Sequence, residues 1–129
     1  MKKQIEMFVV FIALIVSLPI TAQDLLIKAP IGKWYIETMH PSGAKFQVEM
    51  EIKDDKTFNG ILSINEVKSW VYSGTWELNG NEFTYIYLES SKELPAGYKD
   101  VDYILKVDDK QYHYKSKLTG EENIYLRVK

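Results

Sequence analysis

Apolar and polar residues alternate along most of this chain, most clearly in Lys45-Phe46-Gln47-Val48-Glu49-Met50-Glu51-Ile52-Lys53. Phe46, Val48, Met50 and Ile52 share one face, while the charged and amide side chains share the other. A helix would mix these two sets on every face, so the pattern predicts a half-buried antiparallel strand. Trp34, Ile36 and Thr38 form the inner set of a strand before it, which ends at the turn-forming His40-Pro41-Ser42-Gly43. After the acidic turn Asp54-Asp55-Lys56, a third strand carries Phe58, Gly60, Leu62 and Ile64, and it breaks at Asn65-Glu66. A fourth presents Trp70, Tyr72, Gly74 and Trp76 up to Asn79-Gly80, a strong hairpin signal.

The second half continues in the same way. Glu82 to Leu88 reads as an aromatic-rich fifth strand. Alternation assigns Val101, Tyr103, Leu105 and Val107 to the inner face of a sixth, and Tyr112, Tyr114 and Ser116 to a seventh. Ile124, Leu126 and Val128 fall inward on an eighth, which leaves Arg127 on the opposite face. The pattern lapses only across Ser90–Tyr98, where Pro95 and Gly97 oppose pairing, so this is the one long loop expected. About eight short strands joined by hairpin turns, with no amphipathic helix between them, predict an all-β domain. Its expected form is an antiparallel up-and-down β-barrel, closed so that no edge is left open.

The N-terminal region does not belong to that pattern. Met1-Lys2-Lys3 is basic, Met7 to Leu18 is apolar and uncharged, and Pro19-Ile20-Thr21-Ala22 ends the run in a helix breaker and small residues. This is the layout of a secretory signal peptide. The apolar run is shorter than the roughly 20 residues that a spanning helix needs. Cleavage is expected after Ala22 or one or two residues later, leaving residues 23–129 as one domain with no integral membrane span. The expected location is the periplasm or the exterior. Asp24-Leu25-Leu26-Ile27-Lys28 is too short for an independent helix and is expected to be a single turn plugging one end of the sheet.

Composition narrows the function classes. The chain holds 16 basic and 18 acidic residues, with the lysines scattered among acids and Arg127 the only arginine. Nucleic-acid binders gather their basic residues into a face or stripe, so no nucleic-acid partner is expected. With no cysteine, neither a disulfide nor a lipid-modified cysteine anchor is expected, and the core alone must hold the fold.

Gly32-Lys33-Trp34 at the start of the first strand resembles the Gly-x-Trp signature of lipocalins and of the lipocalin-like domains of bacterial secreted proteins. Asp55-Lys56-Thr57-Phe58-Asn59-Gly60 and Tyr72-Ser73-Gly74-Thr75-Trp76 resemble segments that follow in the bacterial group. Val101-Asp102-Tyr103 falls near the place of the family's Thr-Asp-Tyr motif, with Val101 departing from the threonine. The resemblance implies that Gly32, Trp34 and Arg127 close one end of the barrel, the arginine stacking on the tryptophan. It also implies a small hydrophobic ligand held inside.

The inward aromatics have two readings, plain core packing or an aromatic-lined pocket with phenols as polar anchors. On the second reading, Trp70, Tyr72, Tyr85, Tyr103 and Tyr112 line the pocket and the Ser90–Tyr98 loop is its lid. A rival function class is a protein-interaction or inhibitor module that uses the outer face, for which the outward Ile61, Val71, Ile86 and Tyr125 are the hint. His40 and His113 have no second ligand at metal-binding spacing. No nucleophile or phosphate-cradling motif appears, so no catalytic residue, metal or cofactor is assigned and no enzyme is expected.

Overall fold

The computed structural model describes residues 27–129. The expected signal peptide, residues 1–22, and the first residues of the expected plug lie outside them. Eight strands follow one another: β1 (Gly32–Met39), β2 (Lys45–Ile52), β3 (Thr57–Ile64), β4 (Val67–Asn79), β5 (Glu82–Ser90), β6 (Lys99–Val107), β7 (Gln111–Ser116) and β8 (Glu122–Arg127). They close into one barrel in chain order, each antiparallel to its neighbours. This is the all-β architecture that the alternation predicts.

Local chemistry sets the turns. Asn65 and Glu66 both have positive φ (50° and 68°), as a two-residue hairpin whose twist matches its strands requires. The Asn65 side chain then accepts a hydrogen bond from the Lys45 amide at 2.9 Å, which fixes this turn to the start of β2. Asp55 accepts from both the amide and the hydroxyl of Thr57, and Asp108 accepts from the amides of Lys110 and Gln111. These bonds hold both carboxyls below the usual carboxylate range.

Two strands turn the opposite face inward from the one their apolar alternation predicts. In β6, Asp102 and Ile104 are buried, opposite Phe83 and Tyr114 respectively. Tyr103 therefore lies on the outer face between Glu82 and Lys115, and Leu105 is exposed. A bulge between Ile104 and Lys106 then returns Val107 to the inside, opposite Tyr112. In β8, Tyr125 is buried opposite Tyr112, while Ile124, Leu126 and Val128 are exposed. Arg127 thus shares the inner face with Tyr125, and its stacking on Trp34 needs no bulge.

One end of the barrel is sealed by a small set of mutual contacts. Trp34 is 1 % exposed, and its Nε1 donates to the carbonyl of the fully buried Pro30 at 2.7 Å. The Arg127 guanidinium lies 4.3 Å from the Trp34 ring centre. Its Nη1 donates to the Ile31 carbonyl and its Nη2 to the Asp108 carbonyl, at 2.8 and 2.9 Å. Gly32 adopts a φ of +139°, and a Cβ there would collide with Arg127 Nη1. The glycine is needed both for its backbone and for the cation above it. Ile27 and Ala29 also pack against the core. The seam that closes the ring is short. Every residue of β1 pairs with β2, but only Trp34 and Tyr35 pair with β8.

Candidate functional site

The antiparallel order sends four connections to the end away from Trp34: residues 40–44, 65–66, 91–98 and 117–121. The interior below them is aromatic on two walls. On β3, β4 and β5, Phe58, Trp70, Tyr72, Tyr85 and Tyr87 form a chain of ring contacts with centroids 4.5–6.2 Å apart. On β7 and β8, Tyr112, Tyr114 and Tyr125 stack or tilt against one another at 5.3–5.8 Å. Tyr112 also meets Trp34 edge-on, which joins this wall to the sealed end.

Each wall has a local reason for its geometry. A Cβ on Gly60 would collide with the Tyr72 ring, so that glycine is the space in which the ring lies across the strand pair. Gly74 sits at the β4–β5 bulge, where a Cβ would run into the Ile86 carbonyl, and the close approach needs a bare backbone. Trp70, half-buried near the mouth, donates from Nε1 to Ser90 Oγ at 2.7 Å. The loop after Ser90 is tied at both ends. The Ser91 amide donates to the Val71 carbonyl, the Val71 amide donates to Ser91 Oγ, and the Tyr87 amide donates to the Tyr98 carbonyl. Tyr98 stands edge-on to Tyr87 at 5.4 Å. A hollow of about 430 Å³ lies beneath the loop, with Tyr87 and Ser90 in its wall.

Between the aromatic walls, β6 presents Asp100 and Asp102. Asp102 is 7 % exposed, and among the described residues no opposite charge stands beside it. Burial, with Asp100 beside it, pushes its carboxyl up to about 8, and burial raises Asp100 as well. The hydroxyls of Tyr85 and Tyr112 are buried and face each other, yet neither has a partner at hydrogen-bonding geometry. Burial raises both phenols, and the nearby Asp102 carboxyl adds to the rise. The same two causes raise Tyr125, and push Tyr114 up to about 12. The interior therefore carries several polar groups and, among the described residues, no cation beside its two carboxyls.

Of the residues that the sequence proposes as lining, the fold brings Trp70, Tyr72, Tyr85 and Tyr112 to the interior. It does not bring Tyr103, because β6 buries the aspartates that alternate with it. Sequence reasoning missed Asp100 and Asp102, and also Tyr87, which alternation with Phe83 and Tyr85 could have found. For the aspartates the signal was weaker. A cleft of about 680 Å³ lies elsewhere, outside the sealed end between residues 27–31 and the β6–β7 corner. In its wall the terminal nitrogens of Arg127 meet two carbonyls and Asp108 holds its own turn, while Lys28 and Asp54 also line it.

The outer surface does not gather the apolar residues named for a docking face. Ile61 and Val71 are cross-strand neighbours. Ile86 pairs with Thr75 and Lys99, and Tyr125 is inside. Among the described residues no three His, Asp or Glu side chains gather where they could hold a metal.

The class that this fold defines is a closed, eight-stranded, up-and-down antiparallel barrel, an architecture compatible with the calycin type. Comparison with family models, with curated proteins and with solved structures gave no match.

Proposed function

We propose that this chain is an exported, lipocalin-like barrel that carries a small apolar or amphipathic molecule and has no catalytic activity of its own. The carrying observation is the interior between the sealed end and the mouth. It has two aromatic walls and, between them, a buried carboxyl with no counter-charge beside it and two buried hydroxyls that meet only each other, off hydrogen-bonding geometry. A barrel filled only for stability gains nothing from such groups, since each unpartnered buried polar atom costs about 1–3 kcal/mol. A ligand entering past Trp70, Tyr72 and Tyr87 would satisfy them, with the Ser91–Tyr98 loop over the entrance. The signal-peptide layout of residues 1–22 supports export.

Native mass spectrometry of the protein purified from its own host tests this reading. The expected result is a non-covalent small-molecule adduct, or uptake of the neutral apolar fluorophore N-phenyl-1-naphthylamine by the emptied protein. A protein that carries nothing and leaves the fluorophore unbound would reject it.

A further inference from the structure

We propose that the barrel interior holds a subsite for an organic cation: the ammonium group of an amphipathic amine, placed against Asp102 and Asp100 with its hydrocarbon part among the aromatic walls. This rests on the carrier reading above and names the chemistry of its ligand. Three independent features converge on it.

The first is charge. β6 turns two carboxyls inward in succession, and among the described residues no basic side chain acts on them. Arg127, the one cation on the inner face, is held at the sealed end by Trp34 and two backbone carbonyls. A buried carboxylate is expensive without a counter-charge, and the fold supplies none.

The second is unused hydrogen-bonding capacity. Tyr85 is 3 % exposed, Tyr112 is 0 % exposed, and among the described residues each hydroxyl has only the other beside it, off hydrogen-bonding geometry. They come from β5 and β7, the strands on either side of β6, and both lie within electrostatic reach of Asp102. Hydroxyl oxygens and a carboxylate together accept the three N–H groups of an ammonium.

The third is the faces above the acids. Trp70, Tyr72 and Tyr87 meet pairwise at 4.5, 5.4 and 5.7 Å, and Asp100 acts electrostatically on both tyrosines. Clustered aromatic faces beside carboxylates are a chemical environment that favours organic cations and disfavours anions.

Calorimetric titration of the ligand-free protein at about pH 8 with 2-phenylethylamine, 2-phenylethanol and phenylacetate separates the possibilities. At that pH the amine is protonated and the acid ionised. The three probes share a ring and spacer and differ only in the head group. The expected order is amine tightest, by about ten-fold or more over the alcohol, and the carboxylate weakest. In Asp102→Asn the amine should fall to the level of the alcohol while the alcohol is unchanged. Asp100→Asn provides a second variant should the first not fold. Alcohol or carboxylate binding as tightly as the amine overturns the cation subsite and leaves the carrier reading intact. No binding of any probe or of the neutral fluorophore overturns both.

Discussion

The two halves of this barrel treat polar atoms in opposite ways. At the sealed end, the Trp34 indole N–H, the Trp76 indole N–H and both terminal nitrogens of Arg127 each meet a backbone carbonyl at 2.7–2.9 Å. Among these side chains only Arg127 Nε is left without an acceptor. Farther in, toward the mouth, the buried Tyr85 and Tyr112 hydroxyls meet only each other, and the buried Asp102 carboxyl has no counter-charge among the described residues. Burial alone therefore does not separate stabilising residues from recognising ones. The separating property is whether the polar end of a buried side chain is already satisfied. On that criterion stability is concentrated near Trp34, and recognition capacity lies between Asp102 and the mouth.

Substitutions can break this division, and the largest loss of stability is expected at the sealed end. Trp34→Ala should cost about 3–5 kcal/mol in urea unfolding, as for a fully buried aromatic. A loss below about 1 kcal/mol would show that the anchor lies elsewhere. Arg127→Ala should cost about 2–3 kcal/mol, from the lost stacking and from two carbonyls left without donors. Arg127→Lys should recover less than half, because an ammonium cannot reproduce the planar fork.

In the interior the sign reverses. The folded state holds the Asp102 proton up to about pH 8, whereas an unfolded aspartate releases it near pH 4. This group therefore favours the fold fully below about pH 4, and that contribution is lost as pH rises through about 8. Asp102→Asn should be more stable than the native protein by about 5 kcal/mol at pH 8, with the difference vanishing near pH 4. Parallel melting curves at the two pH values check this. A variant less stable at both would place Asp102 among the structural residues. The smallest effect is expected at the mouth. Trp70→Phe, which removes the bond to Ser90, should cost under about 1 kcal/mol yet weaken fluorophore uptake several-fold. Unchanged uptake would move the entrance away from Trp70.

Strand number, order and most turns were legible in the sequence because they are set locally. Alternation marks each strand, and Asp54-Asp55-Lys56, Asn65-Glu66 and Asn79-Gly80 mark the bends between them. The facing of β6 and β8 was not legible, for two different physical reasons. In β6, Val101, Tyr103 and Leu105 look like an inner set, and only the closed ring, by pairing Phe83 with Asp102, turns the carboxyl inside. The bulge after Ile104 then hides the change of phase, since Val107 is inside on either reading. In β8 hydrophobicity chose the wrong face, because Ile124, Leu126 and Val128 are all aliphatic while Tyr125 shares its face with Asn123 and Arg127. Arg127 could have chosen: if it lies over Trp34, Tyr125 must be buried. The candidate site was half legible, its aromatics through alternation and its acids not at all.

The short pairing between β1 and β8 has a consequence for the order of assembly. Each other ladder joins strands adjacent in the chain and can form as a local hairpin, whereas Trp34 and Arg127 are far apart in sequence. Closing that loop carries the largest entropic cost and rewards it with the fewest backbone bonds. The ring should therefore zip up from its hairpins and join β1 to β8 last. In native-state hydrogen exchange, the Val128 amide, which donates to the Lys33 carbonyl at that seam, should open before the amides between β3 and β4.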